Sequence, residues 1–206
     1  MAAEGCHDVK KEEKFLYMIN KNKYDDNVMY SDNIECMSAD LDKTADDVVE
    51  LLKNRGLHIA SAESCTGGLI SEKITSVSGA SEVFELGLCT YSERIKSELL
   101  GVPSETIERC GVVSDEVALA MVRGLKQRSG ADICVSVTGI AGPSGYTDEM
   151  PVGTVYIGFD ICGRQFVKLP ELWTLRDRSR ENIRRSAACY ALKVVEGALT
   201  EARNCQ

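Results

Sequence analysis

Between residues 57 and 74 the chain reads Leu57-His58-Ile59-Ala60-Ser61, then Ala62-Glu63-Ser64-Cys65-Thr66-Gly67-Gly68, then Leu69-Ile70-Ser71-Glu72-Lys73-Ile74. An apolar-leaning run, a polar turn ending in two glycines and a helix-like run together predict strand, tight turn and helix. A glycine-rich strand-to-helix turn presents backbone N–H groups at a helix start, where they can hold an anion. It also displays three groups able to act as nucleophile or hydrogen-bonder, Ser64, Cys65 and Thr66. A plain turn would use the same residues, because Ser and Thr cap helices and Gly turns corners. Two later stretches shift the balance.

Composition removes several classes of function. A chain of 206 residues suits one well-packed domain, or one domain with a tail. No apolar run approaches the roughly 18 residues of a membrane helix, so no membrane partner is expected. The N-terminus is acidic and lacks the apolar stretch of a secretory signal, which leads to a cytoplasmic expectation. Net charge is −8, and no basic stripe suggests nucleic acid as a partner. The nine cysteines form no C-x-x-C pair, which gives no support to a zinc site or dithiol centre. Histidine occurs twice, as His7 in the tail and His58 in a strand-like run where packing is expected. A Ser-His-Asp or Cys-His hydrolase would therefore lack its base. Lys, Tyr or a carboxylate would have to serve.

Residues 1–43 are rich in Lys, Asp, Asn and Glu, with one apolar patch at Phe15-Leu16-Tyr17-Met18-Ile19. They read as an N-terminal extension, mobile over most of its length, before a domain spanning 44–206. Thr44 reads as the N-cap of a helix that Gly56 stops. Strands are expected at 83–91, 131–138 and 151–160, with a hairpin turn at Cys162-Gly163-Arg164 and a returning strand within 165–175. Helices are expected at 68–77, 93–100, 103–111, 114–130 and 177–203, the last from its apolar spacing of three and four. The succession predicts a three-layer α/β/α single domain with a mixed sheet. Ligands of such sheets bind in loops beyond the strand ends, so segments 63–68, 90–92 and 138–145 are expected to meet.

Ala62-Glu63-Ser64-Cys65-Thr66-Gly67-Gly68, Thr90-Tyr91-Ser92, Lys96, Gly101-Val102, Gly111-Val112-Val113-Ser114, Thr138-Gly139-Ile140-Ala141-Gly142-Pro143, Pro151-Val152-Gly153-Thr154-Val155 and the basic segment Arg180–Arg185 occur in this order. Together they resemble the CinA C-terminal domain family, known for nicotinamide mononucleotide amidohydrolases. The resemblance runs from about Thr44 to the C-terminus and leaves residues 1–43 unmatched. It implies hydrolysis of the nicotinamide carboxamide to nicotinate mononucleotide and ammonia, within pyridine nucleotide recycling. It further implies a serine nucleophile acting without metal, and assembly into a homo-oligomer. Mapped by position, the nucleophile is Ser64, and Tyr91 and Lys96 match the other polar site positions.

The chemistry of the residues is compatible with that role. An amide is a poor electrophile, so its hydrolysis needs an activated nucleophile and a stabilised oxyanion. With histidine scarce, Lys96 is the candidate base, since desolvation lowers a lysine pKa towards neutrality. Tyr91 is placed to relay the proton or orient Ser64. Backbone N–H groups of Thr66, Gly67 and Gly68 are expected to polarise the carbonyl. Cys65 is the rival nucleophile, but neighbouring turn residues point in different directions, and Cys65 is expected to be packed. Arg180 and Arg184, one helical turn apart, are the candidates for the substrate phosphate, with Thr138 and Gly139 on a second glycine-rich loop. That loop lacks the Gly-Lys-Ser/Thr ending of a P-loop, so neither ATP nor magnesium, nor any other cofactor, is expected. The alternative function is a mononucleotide-binding or regulatory module that keeps the fold without turnover.

Overall fold

The computed structural model describes residues 40–201. The apolar patch at Phe15–Ile19 and residues 1–39 of the expected 1–43 extension lie outside the described residues, while residues 41–43 belong to the first helix. The first helix, α1 (Leu41–Arg55), buries Leu41, Ala45, Val48, Val49 and Leu52 on one face. It begins three residues before the expected cap, because Leu41 is fully buried and extends the apolar face upstream. Thr44 is therefore inside the helix, where its hydroxyl donates to the Asp40 carbonyl one turn back. Gly56, at φ 63°, ends the helix as expected, its N–H reaching the carbonyls of Leu52 and Lys53.

The chain continues as β1 (Ile59–Glu63), α2 (Leu69–Thr75), β2 (Phe84–Cys89), α3 (Glu93–Leu100), α4 (Ser104–Cys110), α5 (Asp115–Ser129), β3 (Ile133–Gly139), β4 (Val155–Ile161), β5 (Arg164–Lys168) and α6 (Arg180–Glu201). The sheet order is β2-β1-β3-β4-β5. β1 runs parallel to both β2 and β3, while β3–β4 and β4–β5 are antiparallel. The expected hairpin is present, with left-handed backbone at Cys162 and Gly163 between β4 and β5. The returning strand is shorter than the window allowed, and Leu172–Thr174 is a 3-10 turn.

Alternation along β1 divides the interior. Ile59 belongs to the core beneath α1 and α6, whereas Ala60 and Ala62 belong to the core beneath α5. All five β1 residues are buried. Helices cover both faces of this strand, so alanine and serine fill positions where bulk would separate the layers. The result is the expected three-layer α/β/α arrangement with a mixed sheet.

Connections from β1 determine where a ligand can enter. From β1 the chain passes through α2 to β2 on one side, then returns through α3, α4 and α5 to β3 on the other. β1 is thus the strand from which the chain departs in both directions. In α/β sheets the crevice at the carboxyl end of such a strand is the usual ligand position. Ser64 is the residue immediately after β1.

Packing between α3 and α5 fixes one wall of that crevice. A Cβ on Gly124, in the middle of α5, would lie 1.8 Å from the backbone carbonyl oxygen of Leu100, the last residue of α3. Gly124→Ala gains about 1 kcal/mol of helix propensity, but the contact is with backbone and cannot be relieved by a rotamer change. We expect a net loss of about 2 kcal/mol from overpacking, a melting shift of roughly 4–8 °C for a domain of this size. Calorimetry on the purified variant measures it.

Candidate active site

Two consecutive left-handed residues, Gly67 at φ 62° and Gly68 at φ 93°, reverse the chain between β1 and α2. Side chains with a Cβ resist that conformation, so the glycines hold the turn open for Ser64 at its start. The Ser64 N–H bonds the Val137 carbonyl of β3, and the Gly67 N–H bonds the Ser64 carbonyl. Ser64 is therefore fixed on its N-terminal side by the sheet and on its C-terminal side by the turn.

The expected anion site at the start of α2 is occupied from within. Ile70 and Ser71 donate their backbone N–H groups to the two carboxyl oxygens of Glu63, at 3.0 and 2.8 Å. Thr66 is fully buried, and none of Thr66, Gly67 and Gly68 lines the cleft in front of Ser64. This corrects the expectation that these three residues face substrate. The helix start is capped by the chain's own carboxyl group, because Gly68 at the capping position has no side chain to do so.

The pairing of Ser64 with Lys96 is the central geometric feature. Ser92 caps α3 with its hydroxyl against the Ile95 N–H. The helix then directs Lys96 inwards, and this lysine is only 1% exposed. Its Nζ lies 3.0 Å from Ser64 Oγ and 2.8 Å from the Thr90 carbonyl oxygen. A carbonyl only accepts, so one amine N–H goes to Thr90. The Ser64 contact can run either way, and a neutral amine would take the serine proton through its lone pair. Burial lowers the Lys96 pKa from the ordinary lysine range, with Cys65, Glu93 and Cys89 pulling weakly the other way. No carboxylate bonds the amine among the described residues. The sequence placed Lys96 at the edge of the apolar face; the structure places it fully within.

Cys65 has the opposite character. It is packed in the core beneath α1 and α6, and burial raises its thiol pKa to about 12. A thiol held protonated at neutral pH is a weak nucleophile. His58 is partly exposed rather than packed, and lies beside Asp132 and Glu85 at the opposite end of β1. It is not available to Ser64.

Ser64, Tyr91, Glu93, Arg94, Lys96, Thr138, the 139–145 loop and Arg180 surround a cleft of about 590 Å³. That is within the usual range for small-molecule sites, about 300–1,000 Å³. Of the segments expected to meet, 63–68, 90–92 and 138–145, the first contributes Ser64 and Cys65 to the lining, the second Tyr91 and Ser92, and the third most of its length. Two guanidinium groups, Arg94 and Arg180, line it against the one carboxylate of Glu93, which favours an anionic ligand. Thr138 lines the cleft and donates its hydroxyl to the Val112 carbonyl. Gly139 is required by close packing, since a Cβ there would lie 2.7 Å from Thr154 O and Val155 Cα.

The polar partners of the mouth differ from those expected. Tyr91 is 60% exposed, and its hydroxyl accepts a 2.8 Å hydrogen bond from Arg180, not from Ser64 or Lys96. Ser64 and Lys96 are in direct contact, and Tyr91 does not stand between them. Arg180 also donates to the Gly142 carbonyl at 2.7 Å, bridging the 139–145 loop and the Tyr91 side. Arg184 turns away from the cleft and donates twice to the Thr66 carbonyl, at 3.1 and 2.7 Å. It braces the turn that carries Ser64 and lines an adjoining depression with Leu69, Arg180, Glu181 and Arg185. Glu63 was missed as a site residue, although its place directly before Ser64 was visible in the sequence. Among the described residues, no group of three or more His, Cys, Asp or Glu side chains is gathered to hold a metal, and no helix is long and apolar enough to cross a membrane.

Comparison with known proteins bears on this arrangement. Residues 41–199 match the CinA C-terminal domain. A CinA-like protein from Kosmotoga olearia is 47% identical over 152 residues, covering 74% of this chain and 36% of that protein. One from Akkermansia muciniphila is 50% identical over 132 residues, covering 64% of this chain and 32% of that protein. The chain thus spans about a third of the length of the curated relatives it matches. Among solved structures, the competence/damage inducible protein CihA from Agrobacterium tumefaciens aligns with a TM-score of 0.73 at 36% identity, over 77% of this chain and 95% of that one. A CinA superfamily protein from Klebsiella pneumoniae aligns with a TM-score of 0.72 at 26% identity, over 78% of this chain and 98% of that one.

Proposed function

The chain belongs to the CinA C-terminal domain family, and from that membership and the chemistry of its cleft we propose that it is a serine amidohydrolase acting on nicotinamide mononucleotide. The products are nicotinate mononucleotide and ammonia. The single observation that carries the proposal is the buried Lys96 amine 3.0 Å from Ser64 Oγ, with no carboxylate bonded to it among the described residues. A desolvated lysine beside a serine is an arrangement suited to general-base activation, and it has little value as a stabilising contact.

In this reading Lys96 takes the Ser64 proton as Oγ attacks the carboxamide carbon. The carbonyl oxygen gains negative charge and is met by the N–H of Cys65, the next residue in the chain and part of the cleft wall. The protonated lysine then gives its proton to the departing nitrogen, and ammonia leaves. Water, deprotonated by the same amine, attacks the resulting ester; the carbon–Oγ bond breaks, Lys96 returns the proton to Ser64 Oγ, and the nicotinate product leaves. The pyridinium ring of the substrate withdraws electron density from the carbonyl and eases the first attack.

The phosphate is assigned to Arg180, whose guanidinium already spans the mouth and whose bonds to Tyr91 and the Gly142 carbonyl are exchangeable for phosphate oxygens. Arg184 acts behind it as a brace on the Thr66 carbonyl. Ammonia release is measured with nicotinamide mononucleotide, nicotinamide riboside and nicotinamide side by side. We expect release from the mononucleotide, and at least about tenfold lower kcat/KM for the riboside, the value of one lost charged contact. Arg180→Ala is expected to raise KM for the mononucleotide while leaving the riboside unchanged. Equal rates on mononucleotide and riboside would refute the phosphate assignment, and absence of release from all three would refute the proposed activity.

A further inference from the structure

We propose that Glu63 is a positioning residue for the nucleophile, holding Ser64 against Lys96 by closing the turn that follows Ser64. The inference rests on the reading of Ser64 as the attacking group. The Glu63 side chain is fully buried, and four donors converge on it. Its Oε1 accepts from the Ser71 N–H at 2.8 Å, the Ser71 hydroxyl at 2.8 Å and the Ser61 hydroxyl at 3.3 Å. Its Oε2 accepts from the Ile70 N–H at 3.0 Å. The Ser61 and Ser71 hydroxyls are themselves 2.8 Å apart.

An ordinary cap would come from the residue next to the helix. Here the cap comes from seven and eight residues back in the chain and closes a ring around Ser64–Leu69. The backbone of Glu63 is held in the sheet on both sides, paired with Cys89 and Val137, and its carbonyl accepts the Thr90 N–H. Thr90 in turn supplies the carbonyl that anchors the Lys96 amine. One residue therefore ties together the start of α2, the nucleophile's own backbone and the segment holding the base. Its side chain lies on the α2 face of β1, whereas Ser64, one residue on, meets Lys96 from α3. Anchoring on one face thus fixes reactive geometry on the other without touching substrate.

Glutamine cannot replace it. With its oxygen on the Ser71 donors, the amide NH₂ faces the Ile70 N–H, donor against donor. The turn must then shift, and a displacement near 1 Å of a reacting group lowers rate by about 10²-fold. The readout is the rate of covalent labelling of Ser64 by a fluorophosphonate, which needs an activated serine but no particular substrate. Full-length wild type, Glu63→Gln and Ile74→Val are compared, with ammonia release measured in parallel. Ile74 is a buried residue of the same helix and serves as the stability control. We expect Glu63→Gln to label about 10²-fold more slowly, with a matching fall in kcat and KM near wild type, and Ile74→Val to label normally. Should Glu63→Gln not fold, Ser71→Ala removes one donor and is expected to slow labelling several-fold.

Wild-type labelling rates in the Glu63→Gln protein, or an equal slowing in Ile74→Val, would overturn the inference. Labelling of wild-type Ser64 without ammonia release would overturn the substrate reading alone, and the Glu63 comparison would still be decided by the labelling rates. Failure of wild-type Ser64 to label would remove the nucleophile and this inference with it.

Discussion

Ser64→Ala is expected to lower kcat for ammonia release by at least about 10³-fold while leaving the fold and mononucleotide affinity near wild type, in line with the loss of a nucleophile elsewhere. Among the described residues the hydroxyl bonds only Lys96, and its removal leaves a small space at a site that is already partly open to the cleft. Stability should therefore change by less than about 1 kcal/mol. Rate and affinity separate because the Oγ bonds substrate carbon only during reaction, so its loss is felt in kcat rather than in binding. Stopped-assay ammonia measurement together with calorimetric titration of the mononucleotide checks both parts. Retention of normal turnover would refute the serine mechanism. Cys65 cannot substitute, since its thiol is packed away and held protonated by a pKa near 12.

Lys96→Met is expected to have a comparable effect on kcat and a distinctive effect on stability. Methionine fills the same volume without an amine, so Ser64 loses its base. Lys96→Arg should be no better, because guanidinium does not give up its proton at working pH. In wild type, activity should rise with pH as Lys96 becomes neutral, and that rise should lie below the ordinary lysine range because burial lowers its pKa. Stability follows the same proton. Between the lowered folded pKa and the unfolded pKa of about 10.4, the unfolded chain binds a proton that the folded chain does not. Wild-type stability therefore rises with pH across that window and is lowest below it, where the amine must be charged while buried. Lys96→Met lacks this dependence. Its melting temperature relative to wild type should be highest at the lower pH and should fall as pH rises towards 10.4, measurable by thermal melts across a buffer series. A difference independent of pH would contradict the burial of an ionisable amine at this position.

The two expectations connect to the fold through α5. Gly124 allows α5 to approach the end of α3, and α3 carries Lys96. A change that pushes these helices apart should therefore affect the Ser64–Lys96 distance as well as stability.

Local patterns in the sequence were sufficient for the element order, most helix stops and the strand–turn–helix around Ser64. The reason is that each depends on neighbours within one or two turns. Apolar spacing identified α5 and α6, Gly56 and Gly130 adopt the left-handed backbone that ends a helix, and the two turn glycines could follow β1 in only a few ways. The scarcity of histidine also narrowed the base to a few residue types before any coordinates. The expected start of α1 differs from the observed one because Thr44 has a capping side chain, while the burial of Leu41 in the core shared with α6 is a tertiary fact.

What only the tertiary structure decided are the environments of the charged groups. Lys96 meets Ser64 across 32 positions, Arg180 meets Tyr91 across 89, and Arg184 meets Thr66 across 118. No local pattern distinguishes a helix lysine that points to water from one that points into the core, and the two differ by a large desolvation energy. The same holds for Glu63, which in sequence is one acidic residue before a turn and in space is the cap of α2. Secondary structure is fixed largely by steric and hydrogen-bonding preferences of adjacent residues. Protonation, reactivity and ligand charge preference are fixed by which distant elements pack around a group and exclude water from it.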